Sequence, residues 1–282
     1  MIDFGLRDRV IVVTGGASGI GRAHGLAAAK AGARVAVIDA SHDAAHQTAE
    51  EIERLGGRAV AEVFDVRDGA AAEAATARIE EQLGPIDGVV ASAGTSRPAL
   101  ATDMTDDEWS LVIDINLTGL YKSIRPIGRR MVERRRGAVV LIASIDAFGG
   151  HAARSHYSAS KHGVAGLTKS LAIEWGRHNI RVNGLAPGVV DTPLLRASMP
   201  AEHIETAVLG RVPLGRLSTP DDQAGAGLFL LSDAAAYITG AVLPVDGGLT
   251  AGFFTNWNGA DLGSRALLER GVYGKPASAA GA

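Results

Sequence analysis

Short, unbroken apolar runs alternate with alanine-rich stretches of helical period along most of this chain, and few folds accept that pattern. Residues 10–13, 35–38, 59–64, 86–91, 138–142, 180–185 and about 241–245 read as strands with no polar alternation. Helical stretches at about 19–31, 43–55, 69–83, 106–132, 157–175 and 221–231 separate them. A strand that is apolar at every position is buried on both faces, and parallel strands need a crossover, usually a helix. The sequence therefore predicts an α/β fold: a doubly wound parallel sheet of about seven strands, with helices on both faces. No linker interrupts residues 1–252, which are read as one domain.

Two segments break this rhythm. In residues 191–215, Pro193, Pro200 and Pro213 punctuate short helical pieces, as in a lid at the carboxyl edge of the sheet. Residues 253–282 follow the last strand and carry Phe253, Phe254, Trp257 and Tyr273, which suits a subunit interface or a cap on an active site.

Composition removes several classes of function. Charged residues make up 21 % of the chain and the formal net charge is -3, with the signs interspersed. No basic stripe with interleaved aromatics is present, so nucleic acid is not an expected partner. The run Arg134-Arg135-Arg136 reads as a solvated helix end. The absence of cysteine excludes disulfides, thiolate metal sites and cysteine nucleophiles. The histidines lack ligand spacing, and no metal is expected. Residues 1–9 carry Asp3, Arg7, Asp8 and Arg9 and no apolar stretch, and no run is long enough to span a bilayer. A cytoplasmic protein with no membrane partner is the expectation.

Chemistry enters at Thr14-Gly15-Gly16-Ala17-Ser18-Gly19-Ile20-Gly21, between the first strand and the first helix. A pyrophosphate needs backbone N–H groups aimed at it, and a helix N-terminus supplies them with a favourable dipole. Glycine lets the backbone approach the ligand with no Cβ in the way. This is the Rossmann arrangement, and Thr14, Gly15, Ser18, Gly19, Ile20 and Gly21 are its candidate contacts. Asp39 ends the second strand, where a carboxylate accepts the adenosine ribose hydroxyls and repels a 2′-phosphate. No Lys or Arg lies between Thr14 and Gly21. Both features predict NAD as cofactor.

Tyr157-Ser158-Ala159-Ser160-Lys161 puts a phenol and an ammonium four residues apart on one helix face. With a reference pKa of ~10, only on the order of one tyrosine in a thousand is ionised at neutral pH. A fixed cation nearby favours the phenolate and suits the group to general acid–base work. Ser144, at the end of the fifth strand, can hold a substrate oxygen for Tyr157.

Taken together, the loop, Asp39, Asp65-Val66, Asn116, Ser144, the Tyr157/Lys161 pair, Pro187-Gly188 and Thr192-Pro193 resemble the single-domain branch of the short-chain dehydrogenase/reductase family over residues 5–252. The resemblance implies an NAD-dependent oxidoreductase that moves a hydride between nicotinamide and a secondary alcohol or ketone. It makes Tyr157 the general acid or base. Lys161 lowers its pKa and holds the nicotinamide ribose, Ser144 orients the substrate, and Asn116 fixes a water in the proton relay. Asp65 and Val66 fall to the adenine. Ala93, Gly94, Pro187, Gly188, Val190 and Thr192 complete the cofactor site, with Thr192 on the nicotinamide amide. One departure is Ser92 in Ala91-Ser92-Ala93-Gly94, where the family has asparagine. The resemblance also implies a homo-oligomer, a dimer or tetramer. By position, Ser96, Asp146, His151, Val189, Leu194 and Leu195 are candidates for a substrate pocket of mixed polarity. The alternatives are an NADPH-dependent ketoacyl-type reductase and a non-catalytic dinucleotide-binding redox sensor.

Overall fold

A computed structural model describes residues 4–252, together with the main chain of 256–257 and 260–261. The remaining residues of the predicted C-terminal extension lie outside the described residues. So does any cap or interface they form.

Seven parallel strands form one sheet in the order β3-β2-β1-β4-β5-β6-β7. They are β1 (Val10–Thr14), β2 (Arg34–Asp39), β3 (Arg58–Val63), β4 (Ile86–Ala91), β5 (Gly137–Ile142), β6 (Ile180–Pro187) and β7 (Val242–Val245). Every residue of β1 is buried. Its side chains alternate between two cores: Val10 and Val12 face one, with Ile79, Leu83, Leu120, Ile124 and Val164, while Ile11 and Val13 face the other, with Val35, Ile52, Leu228 and Leu231. Each such Val, Ile or Leu contributes about 1.5–3 kcal/mol on burial. Two apolar cores on opposite faces are why the strand sequence shows no alternation. The order reverses between β1 and β4, and ligands bind at such a switch point, beyond the carboxyl ends of the strands.

The helices are α1 (Gly19–Lys30), α2 (His42–Arg54), α3 (Gly69–Leu83), α4 (Asp106–Ile113), α5 (Leu120–Arg134), α6 (Ser155–Gly176), α7 (Pro193–Ser198), α8 (Ala201–His203) and α9 (Pro220–Leu231). Local chemistry sets several starts. Asp68 caps α3 by accepting from the amides of Ala70 and Ala71. Thr105/Glu108 and Thr219/Asp222 form capping boxes on α4 and α9.

The long helix expected over 106–132 is interrupted. A π turn, Asp114–Gly119, joins α4 to α5. Its wider winding rotates the helix face and leaves Asn116 fully buried. Residues 191–215 fold as α7, α8, a π turn at Ile204–Val208 and a 3₁₀ turn at Leu209–Arg211. Pro193 opens α7 and Pro200 precedes α8, as the punctuation suggested. No helix among the described residues is long and apolar enough to cross a membrane.

Candidate active site

A cavity of about 440 Å³ opens at the switch point, running from the β1–α1 loop to Tyr157 and α7. At the first end, Ser18 stands at the start of α1 with extended backbone and makes no side-chain cap bond. The first turn of α1 holds no acidic residue. The amides of Gly19, Ile20 and Gly21 have no intrahelical acceptor, as in the first turn of any helix. They lie in the wall of the cavity, so the helix presents donors and a positive dipole end to whatever occupies it. Gly15 has φ +64°, and a Cβ there would stand 2.8 Å from Ala93 Cα. At Gly21 a Cβ would overlap the Gly15 carbonyl. The loop is therefore wound to a closeness that only glycine permits.

Asp39 points back at this loop, its Oδ2 accepting from Ala17 N at 3.2 Å and its Oδ1 from Ser41 N at 3.1 Å. Asp65 also lines the cavity, but its carboxylate is held by Arg67, whose Nε lies 3.0 Å from both oxygens. That pairing pulls the Asp65 carboxyl below its usual range. Thr14 does not reach the cavity. It is 1 % exposed, and its hydroxyl accepts from Ser92 N at 3.2 Å and Ala93 N at 3.3 Å, fixing the end of β4 from behind. Gly15, Ser18, Gly19, Ile20, Gly21, Val66, Ala93, Gly94, Pro187, Gly188, Val190 and Thr192 all line the cavity. The Thr192 hydroxyl is engaged as the cap of α7, accepting from Leu195 N at 3.2 Å. Asn116 lies behind the wall. Its Oδ1 accepts from Thr95 N at 2.8 Å, and its Nδ2 donates to Thr95 O at 3.0 Å and to Ser160 Oγ at 3.2 Å.

Ser144, Tyr157 and Lys161 converge on the other end of the cavity. Ser144 lies just beyond β5, two residues past its last strand residue, where it starts a 3₁₀ turn. The Lys161 ammonium is buried, lies 5.6 Å from the centre of the Tyr157 ring, and donates to the Ile142 carbonyl at 2.8 Å. The resemblance implies that Lys161 lowers the Tyr157 pKa; the net direction in this structure is upward, with burial the leading cause. Burial pushes the phenol up; a hydrogen bond from Ser144 pulls it down, Asp146 raises it and Arg154 lowers it. Lys161 is itself pushed down to about 8 by burial, against the pull of Asp146. Helical spacing put phenol and ammonium on one face, but the enclosing walls penalise both charged forms.

All six expected substrate residues line this cavity. Asp146 and His151 face each other: His151 Nδ1 is 2.6 Å from Asp146 Oδ1, and Ser158 Oγ donates to Asp146 Oδ2 at 3.0 Å. Sequence reasoning missed Arg154, Ser198 and Met199, which also line the wall. Arg154 immediately precedes α6, with its guanidinium 5.9 Å from the centre of the Tyr157 ring. Its Nη1 donates to Ser96 Oγ at 3.1 Å and its Nη2 to Ser198 Oγ at 3.3 Å. A charged residue three positions before a candidate catalytic tyrosine was the available signal.

Known proteins share this architecture. Residues 15–250 match the family model described as enoyl-(acyl carrier protein) reductase. The chain belongs to the short-chain dehydrogenase/reductase family. It is 38 % identical over 244 residues to the 3-oxoacyl-(acyl-carrier-protein) reductase of Thermotoga maritima, covering 86 % of this chain and 98 % of the relative. It is 41 % identical over 245 residues to the cis-4-hydroxycyclohexanecarboxylate dehydrogenase of Sinomonas cyclohexanicum, covering 86 % and 97 %. A structure from Agrobacterium tumefaciens solved with bound NADP superposes with a TM-score of 0.82 at 36 % identity, covering 89 % of this chain and all of that one. Short-chain dehydrogenase/reductases bind a nicotinamide dinucleotide. The uncapped, acid-free start of α1 and the glycine-only closeness at Gly15 and Gly21 fit its pyrophosphate.

Proposed function

We propose that this protein is an NAD(H)-dependent dehydrogenase/reductase acting on a secondary alcohol or its ketone, with Tyr157 as the proton-transfer residue and residues 1–252 as the catalytic unit. The observation that carries the reading is the convergence of Ser144, Tyr157 and Lys161 on the cavity that also receives the N-terminus of α1. When bound, the nicotinamide ring accepts or gives the hydride. In oxidation the alcohol carbon would give up a hydride, and its hydroxyl proton would pass to the Tyr157 oxygen, which must be a phenolate to take it, leaving the ketone and a neutral phenol. Reduction reverses both transfers. Ser144 holds the substrate oxygen beside the phenol, and Lys161, anchored on the Ile142 carbonyl, holds positive charge beneath it. Asn116 acts as a positioning residue, fixing the segment after β4 through Thr95. Because burial raises its pKa, Tyr157 is neutral at neutral pH, ready to donate during reduction. Alcohol oxidation therefore accelerates as pH rises.

Asp39 supports NAD over NADP. Its carboxylate stands at the loop end of the cavity, and among the described residues the Lys and Arg side chains that line this cavity, Arg154 and Lys161, lie at the Tyr157 end. A second reading, an NADPH-dependent ketoacyl reductase, is favoured by the activity named for the Thermotoga relative and by the NADP in the Agrobacterium structure. Fluorescence titration with NADH and NADPH, followed by a panel of secondary alcohols and ketones, separates them. Preferential NADH binding with turnover of a secondary alcohol is the expected result. NADPH preference overturns the Asp39 argument, and tight binding without turnover returns the redox-sensor reading.

A further inference from the structure

Arg154 is the charged group for which the proposed reaction has no use. Among the described residues many arginines neutralise carboxylates, as Arg78 does on Glu62 and Arg196 on Asp191, and others bond main-chain carbonyls, as Arg181 does on Leu230, Leu231 and Ser232. Arg154 pairs with no carboxylate among the described residues; its side-chain contacts are the hydroxyls of Ser96 and Ser198 and the ring of Tyr157. A hydroxyl can orient a guanidinium but cannot cancel its charge. Among the described residues three carboxylates line the cavity: Asp39 and Asp65 stand at the phosphate-loop end, and Asp146, the one at this end, contacts His151 and Ser158 rather than Arg154, leaving one carboxylate against the two cations Arg154 and Lys161. The half-buried Arg154 is thus held by one serine from the body of the fold and one from α7, paired with no carboxylate among the described residues, in the wall of the space where a substrate must lie.

From this geometry we propose that the substrate carries a carboxylate on the same small carbon skeleton as the reacting alcohol or ketone, and that Arg154 binds it. The proposal rests on the dehydrogenase reading above. A planar guanidinium with two nitrogens already oriented by Ser96 and Ser198 keeps further N–H groups for a carboxylate, the anion its fork matches. A neutral polyol has no need of such a cation.

Three measurements on the full-length protein test this, each with wild type, Arg154→Met and Arg154→Lys. The first compares kcat/KM for 3-hydroxybutyrate and 4-hydroxycyclohexanecarboxylate with that for their methyl esters. Wild type should prefer at least one acid over its ester tenfold or more. The preference should collapse toward unity in Arg154→Met, chiefly through KM, and be partly restored in Arg154→Lys. The second is calorimetric binding of cyclohexanecarboxylate, which has no oxidisable hydroxyl, to the NADH complex. It should weaken tenfold or more in Arg154→Met. The third is the pH profile of kcat for acid and ester. Equal turnover of acids and esters by wild type overturns the inference and leaves the dehydrogenase reading standing. An acid preference that survives in Arg154→Met, with the pH profile displaced for acid and ester alike, also overturns it and makes Arg154 a positioning residue for Tyr157. Arg154-dependent binding of cyclohexanecarboxylate without turnover of any alcohol supports the inference and removes the dehydrogenase reading.

Discussion

At the β1 end of the cavity the surfaces facing inward are mostly main-chain amides and small residues, Gly15, Ser18, Gly19, Ile20 and Gly21, all from one turn of chain. At the Tyr157 end they are side chains drawn from separate places: Ser96 after β4, Asp146, His151 and Arg154 between β5 and α6, and Leu194, Leu195 and Ser198 on α7. The first arrangement is held by backbone geometry that tolerates only glycine at two points. The second is held by side-chain hydrogen bonds that any one substitution can redirect. A ligand group common to many reactions suits the first kind of site, and a variable substrate suits the second.

The largest expected effect breaks the chemistry at one end while sparing the other. Tyr157→Phe should cut turnover by about 10²–10⁴, the range typical of a positioned general acid or base, while NADH binding measured by fluorescence persists. Normal turnover in this variant would remove Tyr157 from the reaction. A smaller effect is expected at the opposite end. In Asp39→Ala the dissociation constant for NADH should rise about 10- to 100-fold, the equivalent of about 1.5–3 kcal/mol lost from charged hydrogen bonds, and the preference over NADPH should shrink. The two constants are read by parallel titrations. If NADH binds as before, Asp39 serves only the Ala17 and Ser41 amides it touches here.

The same contrast explains what could be read before the fold was known. The seven strands, their helices and the phosphate loop were legible because each depends on neighbours in sequence: apolar runs make strands buried on both faces, and glycines before a helix make an anion site. The convergence of Ser144, Tyr157 and Lys161 was also legible, because one strand end and one helix face bring them together. The π turn at Asp114–Gly119 was not, since one wide turn leaves no trace in an apolar pattern that continues on both sides. Arg154 was not, because its meaning lies in Ser96 and Ser198, both 44 or more residues away. The raised Tyr157 pKa was not, because spacing reports proximity and says nothing of how far the walls exclude water.

His24 offers the finest test of how far the phosphate-loop end depends on its framework. It lies on α1, fully buried, with Nδ1 2.7 Å from the Ile20 carbonyl, so the proton sits on Nδ1 and the donor bond ties the first turn of α1. Its Nε2 has no hydrogen-bond partner, and a Cβ on Gly227 of α9 would overlap it. Protonating Nε2 would bury a charge, and burial holds the His24 pKa down at about 4 against an ordinary value of 6.5. The sign follows from linkage. The unfolded chain takes up the proton first as pH falls below 6.5, so the stability gained from the neutral folded form is complete above that pH and is lost on descent toward 4. By pH 5 the loss is about 2 kcal/mol, using 1.36 kcal/mol per unit. Urea unfolding of wild type and His24→Met at pH 7.5 and pH 5 should show a stability loss in wild type that exceeds the variant's by about this amount. The other titrating groups are common to both proteins, so the difference isolates the imidazole. An identical loss in both proteins would mean that α1 and α9 already separate enough to hydrate His24. The anion site at the head of α1 would then rest on the loop glycines alone.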